Sequence, residues 1–207
     1  MSPYLDEFIL IALAHFFAVA SPGPDFAIVL KQSISFGRRN ALMTSAGVGL
    51  GILVHVTYCL LGVALLLSQS PELFNVFKYL AGAYLAYMGV QALRATAAPA
   101  SKQNDAAQPV QESAFSALRR GFLVNALNPK ATLFFLSLFT LVIDPDTPQS
   151  VQLFYGLYMA VATWLWFSSL SLVLSKAAVR GFFQRAGHWF DRAIGVVLLL
   201  LALRLVI

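Results

Sequence analysis

The sequence predicts an all-α polytopic membrane protein. Six transmembrane helices form two inverted three-helix repeats, and helices 1 and 4 are broken. Three observations carry this reading. Only 11% of the 207 residues are charged and 59% are hydrophobic, whereas a soluble domain needs roughly a quarter charged to cover its surface. The apolar residues come in runs of about 18 or more, enough to cross a hydrocarbon core of about 30 Å. Two of these runs are interrupted by proline in corresponding places, at Pro22 and Pro24 in the first and at Pro129 in the fourth.

The segments run roughly over 4–30, 41–67, 73–93, 119–143, 151–175 and 187–207. Their continuous apolarity excludes an outer-membrane barrel, whose strands alternate in and out over about ten residues. The first begins at "MSPYLDEF", with acidic residues where a signal peptide would carry basic ones, so it is expected to be retained. Cys59 stands alone in an apolar run, which offers no disulfide or thiol relay and reads as a small core residue. "GVGLG" (47–51) places Gly47 and Gly51 four apart, a small-xxx-small face for close helix packing.

Orientation follows from the cations. The loops after segments 1, 3 and 5, with their flanks, hold eleven: Lys31, Arg38, Arg39, Arg94, Lys102, Arg119, Arg120, Lys176, Arg180, Arg185 and Arg192. The opposite side holds Lys78 and Arg204. That asymmetry puts the three odd loops in the cytoplasm and both termini outside. The net charge of +5 is therefore a topology signal. No basic face interleaved with aromatics remains to bind nucleic acid.

The stretch "ATAAPASKQNDAAQPVQES" (95–113) has almost no large apolar residues and reads as a flexible cytoplasmic linker. It divides the chain into a first repeat at 1–94, a linker at 95–118 and a second repeat at 119–207. Three spans per half oblige the second half to enter from the other side, which makes the repeats inverted. "FKYLAG" (77–82) and "FDRAIG" (190–195) echo each other at an offset of 113 residues, and the proline breaks do so at 107.

A proline inside a helix removes one hydrogen bond and clashes with the carbonyl four residues earlier. In lipid the freed carbonyl has no water, so a break survives only against other helices or a wet cavity. Pro22 and Pro24 free the carbonyls of Ala18 and Ala20, and Pro129 frees that of Asn125. Gly23 is expected to relax the turn, Asn128 to leave helical geometry, and Asp25 to sit in the first turn of a restarted helix. Kinks that merely shape the bundle are one account. Matched breaks in both halves favour a transport site, where half-helix ends and freed carbonyls meet a zwitterion. Asp25 and Lys130 are the clearest charges within these segments, and such charges are functional when they face the interior. From Leu5 to Pro22 is about 26 Å of helix, which puts the first break beyond the midplane. His15 and His55 also lie inside. Each is either a bond between helices or, with Asp25, part of a proton relay. The aromatics of "YGLYMAVATWLW" (155–166) read as packing or interface anchors, with cavity lining as the alternative. No two histidines stand at metal-ligand spacing, so no metal, cofactor or enzymatic activity is expected.

"SPGPDF", "FLVNALNPKA", the halved six-helix layout and "HWFDRAIG" resemble the LysE/RhtB family of bacterial amino-acid exporters across essentially the whole chain. Threonine and homoserine efflux proteins are its nearest branch, with His15 part of the likeness. The resemblance implies export of a small amino acid from the cytoplasm, by proton antiport, through the bacterial inner membrane. Exporters of lysine or arginine, leucine, cysteine or a small cation are the alternative. It assigns the site to Pro22, Gly23, Pro24, Asp25, Asn125, Asn128, Pro129 and Lys130. Asn125-Ala126 stands where the family has asparagine-leucine. The partners implied are the amino acid, protons, the bilayer and, as an option, further copies of the chain.

Overall fold

In the computed structural model, residues 3–21, 23–69, 71–94, 112–144 and 146–173 are described, with ten further residues between 188 and 203. These residues form seven helices: α1 (Pro3–Ala20), α2 (Pro24–Ser35), α3 (Gly37–Gln69), α4 (Pro71–Leu93), α5 (Ala114–Ala126), α6 (Pro129–Leu141) and α7 (Gln149–Val173). The all-α expectation holds. α3 and α7 are each long and apolar enough to cross a membrane alone. The pairs α1–α2 and α5–α6, bent by 52° and 56°, are long and apolar enough to cross when each is taken together as one broken span. The first and fourth segments are therefore broken where their prolines fall.

The bends follow from local chemistry. Asn128 takes an extended backbone (φ −76°, ψ 111°), as the residue before a proline must. Its side chain caps the new helix by accepting from the Lys130 amide at 3.0 Å, and Pro129 fills the first position, where no amide hydrogen is needed. α2 restarts in the same way with Pro24 behind Gly23. Gly23 itself is extended (φ −167°, ψ −170°), a conformation open to any residue, so the relaxed turn expected of it is not what it supplies. Gly37, at φ 80°, instead lets the chain leave α2 and enter α3 after one intervening residue.

Three boundaries differ from the sequence reading. α2 continues to Ser35 and α3 already begins at Gly37, because Phe36–Gly37 turns the chain without a polar loop. α5 begins at Ala114, within the stretch read as linker, since the Ser113 hydroxyl caps it by accepting from the Ser116 amide at 3.1 Å. At the breaks, the helix restarts lie 105 residues apart, where the sequence reading matches the prolines at 107. Pro24 corresponds to Pro129, and α2 and α6 begin at those two residues. Pro22, most of the linker (95–111) and most of the sixth segment lie outside the described residues.

α3 is the central post. It packs against α5 and α7 and touches α2, α4 and α6. Its glycines make this approach feasible. A Cβ on Gly47 would run into the backbone of α5 at Leu118, and one on Gly49 would come within 2.9 Å of Trp164 Cβ on α7. The core around Ile11, Ile52, Val56, Phe135, Leu138 and Met159 joins both halves, and Cys59 is buried there as expected. Leu61, Leu80 and Leu200 are at least 60% exposed, an apolar exterior suited to lipid rather than water.

α7 fixes the direction of the bundle. Tyr155, near its start, donates to Glu7 Oε2 at 2.9 Å, whereas Ser171, near its end, meets Ser45 of α3 at 3.1 Å. Those two α7 residues are about 24 Å apart along the axis. The start of α1 and the start of α3 thus lie at opposite ends, and so do the starts of α1 and α5, because Asn40 Nδ2 donates to the Glu112 carbonyl at 2.8 Å.

Candidate functional site

Both breaks open onto one cavity. Its walls bring together Ser21, Gly23, Pro24 and Asp25 from the first break with Asn125, Asn128 and Lys130 from the second. Pro129 stands behind them as the first residue of α6. Its volume is about 60 Å³, far less than the roughly 300–1,000 Å³ of ordinary small-molecule pockets. Binding a molecule the size of an amino acid requires the walls to part.

Asp25 and Lys130 are each the second residue of a half-helix. Asp25 is well placed there, because a carboxylate is stabilised by the positive end of a helix dipole. Lys130 is badly placed, at a cost of about 0.3–1 kcal/mol. Helix stability does not explain a lysine at that position, whereas a task across the cavity does.

The polar contacts cross between the halves. Asp25 Oδ2 accepts from Asn125 Nδ2 at 3.1 Å and from Asn128 Nδ2 at 3.2 Å. Lys130 Nζ donates to Ser21 Oγ at 2.7 Å. A Cβ on Gly23 would lie 3.6 Å from that same Nζ, so the lysine lies over the opposing break. The Lys130 charge also acts on the Asp25 carboxylate. The second carboxylate oxygen, Asp25 Oδ1, is buried without a hydrogen-bond partner among the described residues. A buried acceptor left in that state costs about 1–3 kcal/mol or more, which marks it as a place for an incoming donor.

The carbonyl freed by Pro129 has another use. Asn125 O accepts from His55 Nε2 at 3.0 Å and from the Asn128 amide at 2.8 Å. It braces the break internally and has no donor left to seek. His55 Nδ1 meets the Tyr58 hydroxyl at 2.8 Å, so this histidine supports Asn125 from behind without lining the cavity. His15 does line it, and its Nε2 is hydrogen-bonded to Thr163 Oγ1 of α7 at 3.0 Å, both residues being buried. The structure thus separates the two histidines. His15 stands at the wall, whereas His55 reaches Asp25 only through Asn125.

The remaining wall is apolar, formed chiefly by Val19, Ile52, Phe134, Phe135 and Phe167. The tryptophans and tyrosines of 155–166 are not part of it; Trp164 is 45% exposed and Tyr155 is tied to Glu7. Sequence reasoning missed Ser21 and Thr163. Ser21 adjoins the first proline and carried a local hint. Thr163 had none, because its place depends on how α7 packs against α1. Among the described residues no group of three His, Cys, Asp or Glu is arranged to hold a metal ion.

Comparison with known proteins agrees with this architecture. An uncharacterized membrane protein of Escherichia coli K12 is 30% identical over 90% of this chain and 82% of its own. A threonine efflux protein of Salmonella typhi is 31% identical over 92% of each. A leucine efflux protein of Klebsiella pneumoniae is 34% identical over 75% of this chain and 73% of its own. No solved structure matches the chain. The model of the LysE type translocator matches residues 16–207, a span that takes in both breaks and the cavity between them, and the chain belongs to that family.

Proposed function

We propose that the protein is a carrier rather than an enzyme, and that it exports a small amino acid with an uncharged side chain by exchange for protons. The observation that carries this reading is the buried, unpartnered Asp25 Oδ1 in a cavity whose charged side chains are Asp25 and Lys130. One carboxylate and one ammonium complement the two charges of an α-amino acid. Among the described residues no third charge lines the cavity to meet a charged side chain, and an unpaired charge in such a site costs several kcal/mol. That argues against lysine and arginine, while the apolar wall accepts aliphatic and small hydroxylated side chains. The relatives named threonine and leucine efflux proteins fall on the same side of that division.

The ammonium of the amino acid would take Asp25 Oδ1, and its carboxylate would draw Lys130 from Ser21. A proton and an ammonium compete for the same carboxylate. Substrate leaves outward as Asp25 takes a proton, and that proton leaves inward as the next ammonium arrives. His15 and Thr163 line the same cavity as the two breaks, and a side-chain hydroxyl bonded to them would favour threonine or homoserine. The cation asymmetry supports six spans in a bacterial inner membrane with both termini outside. The 105-residue offset supports a first repeat at 1–94 and a second that takes in the whole of α5 and runs to 207. The test is a transport screen of amino acids in proteoliposomes with an imposed pH gradient. Threonine or homoserine should be carried best, and carriage of lysine or arginine in preference to every neutral amino acid would overturn the reading.

A further inference from the structure

The offset that relates Asp25 to Lys130 also relates Glu7, in the first turns of α1, to Glu112, just ahead of the Ser113 cap of α5. Both glutamates lie at the ends of the bundle, away from the cavity, and each is the hub of a polar cluster. Glu7 accepts from the Asp144 amide at 2.6 Å, from Thr147 Oγ1 at 3.2 Å and from Tyr155 at 2.9 Å. It thereby fastens α1 to the joint between α6 and α7. Glu112 accepts from Gln32 Nε2 at 2.8 Å, from Ser116 Oγ at 3.0 Å and from Arg120 Nε at 3.1 Å, while its carbonyl takes Asn40. It fastens α5 to α2 and to the start of α3.

The two clusters are the same device used twice. In each, the first helix of one half is clipped to the joint between the second and third helices of the other half. Both clips are closed, and the cavity between them is too small for an amino acid. We infer that Glu7 and Glu112 are the two gates of the transport cycle, Glu7 on the outer side and Glu112 on the cytoplasmic side. Opening one while the other stays clipped exposes Asp25 and Lys130 to one side at a time. Gln32 adds weight, since it lies two helical turns from Asp25 on α2 and is fully buried with its carbonyl oxygen unpartnered. Its amide is held through the bond to Glu112, so releasing the glutamate frees the half-helix that carries Asp25. The inference rests on the carrier reading and adds to it which residues govern access.

The experiment uses the full chain with Cys59 replaced by Ala and a reporter cysteine at the cavity wall, Ala131→Cys. The reporter is labelled with a membrane-impermeant thiol reagent in right-side-out and inside-out vesicles. Glu112→Gln should raise the labelling rate several-fold from the cytoplasmic face only, and Glu7→Gln from the outer face only. Gln32→Ala and Tyr155→Phe, which remove a partner and leave the glutamate, should act in the same directions. Equal effects on both faces, or none from any variant that inserts normally, would overturn the gates. Labelling needs no substrate, so the two proposals fail separately. One-sided labelling in a protein that carries no amino acid would sink the function and leave the gates, and unaltered labelling in an active carrier would do the reverse.

Discussion

Asp25 and Lys130 hold the same position in two half-helices 105 residues apart, and each is bonded to the other half's break: Asp25 to Asn125 and Asn128, Lys130 to Ser21. A neutral bundle would gain nothing from this arrangement, because Lys130 opposes its own helix dipole. The crossing makes the two breaks one site, and it makes the bonds that hold the charges the same bonds that join the halves.

Asn128 does two jobs that can be pulled apart. Its carbonyl oxygen caps α6 and its amide nitrogen holds Asp25. Asn128→Ala should cost about 1 kcal/mol of stability from the lost cap and also weaken transport. Asn128→Ser can keep the cap but is too short to reach Asp25, so it should retain thermal stability while transport falls about tenfold. Melting temperature and uptake rate, measured on both variants, separate the roles.

Gly51 gives Asn125 its seat. A Cβ there would lie 2.6 Å from Asn125 Oδ1 and 2.8 Å from Asn125 Cβ, contacts that force the asparagine away from Asp25. Gly51→Ala should therefore reduce transport about tenfold or more. Gly62 on the same helix has nothing within 4 Å of an added Cβ, and Gly62→Ala should behave as wild type. Equal activity of the two variants in the same vesicles would contradict the role given to Gly51.

The preference for a side-chain hydroxyl is expected to depend on Thr163. Thr163→Val keeps the shape and removes the partner of His15. A site that bonds a hydroxyl discriminates strongly against analogues lacking one. The ratio of kcat/KM for threonine over valine should drop about tenfold in Thr163→Val and stay near wild type in Thr163→Ser.

The clip at Glu112 should respond to acid. Burial pushes the Glu112 carboxyl up, but hydrogen bonds from Gln32, Ser116 and Arg120, with the Arg120 charge, outweigh this and hold it below the usual carboxylate range. A carboxyl lowered by folding stabilises the fold above its unfolded value of about 4.3 and ceases to do so as pH falls through the lower folded value. Amide-exchange protection at the start of α5 should thus be flat at neutral pH and drop below about pH 4. Glu112→Gln should remove that pH dependence.

Much of this site was legible in the residues. Proline in an apolar run forces a break, and the charges beside it named Asp25 and Lys130. Asn128 followed from its place before Pro129. The register of the halves was hidden, because either Pro22 or Pro24 could match Pro129 and only the helix starts choose Pro24. The α2–α3 joint was missed for want of a polar loop, although Gly37 carried the turn. Thr163, Gln32 and Glu112 gave no local sign. They come from α7, α2 and the residue pair before α5, and only packing brings each to its partner. The small-residue face at Gly47 and Gly51 was visible as a spacing, but the second of these glycines seats a site residue, which no spacing reveals.

The most direct test of the central claim is proton movement coupled to amino-acid flux in proteoliposomes, wild type against Asp25→Asn. In the wild type, a threonine gradient should drive protons the opposite way across the membrane. In Asp25→Asn the carboxylate that a proton and an ammonium compete for is gone, so coupled proton movement should vanish in protein that inserts normally. Gradient-driven export with intact proton coupling in Asp25→Asn would contradict the account.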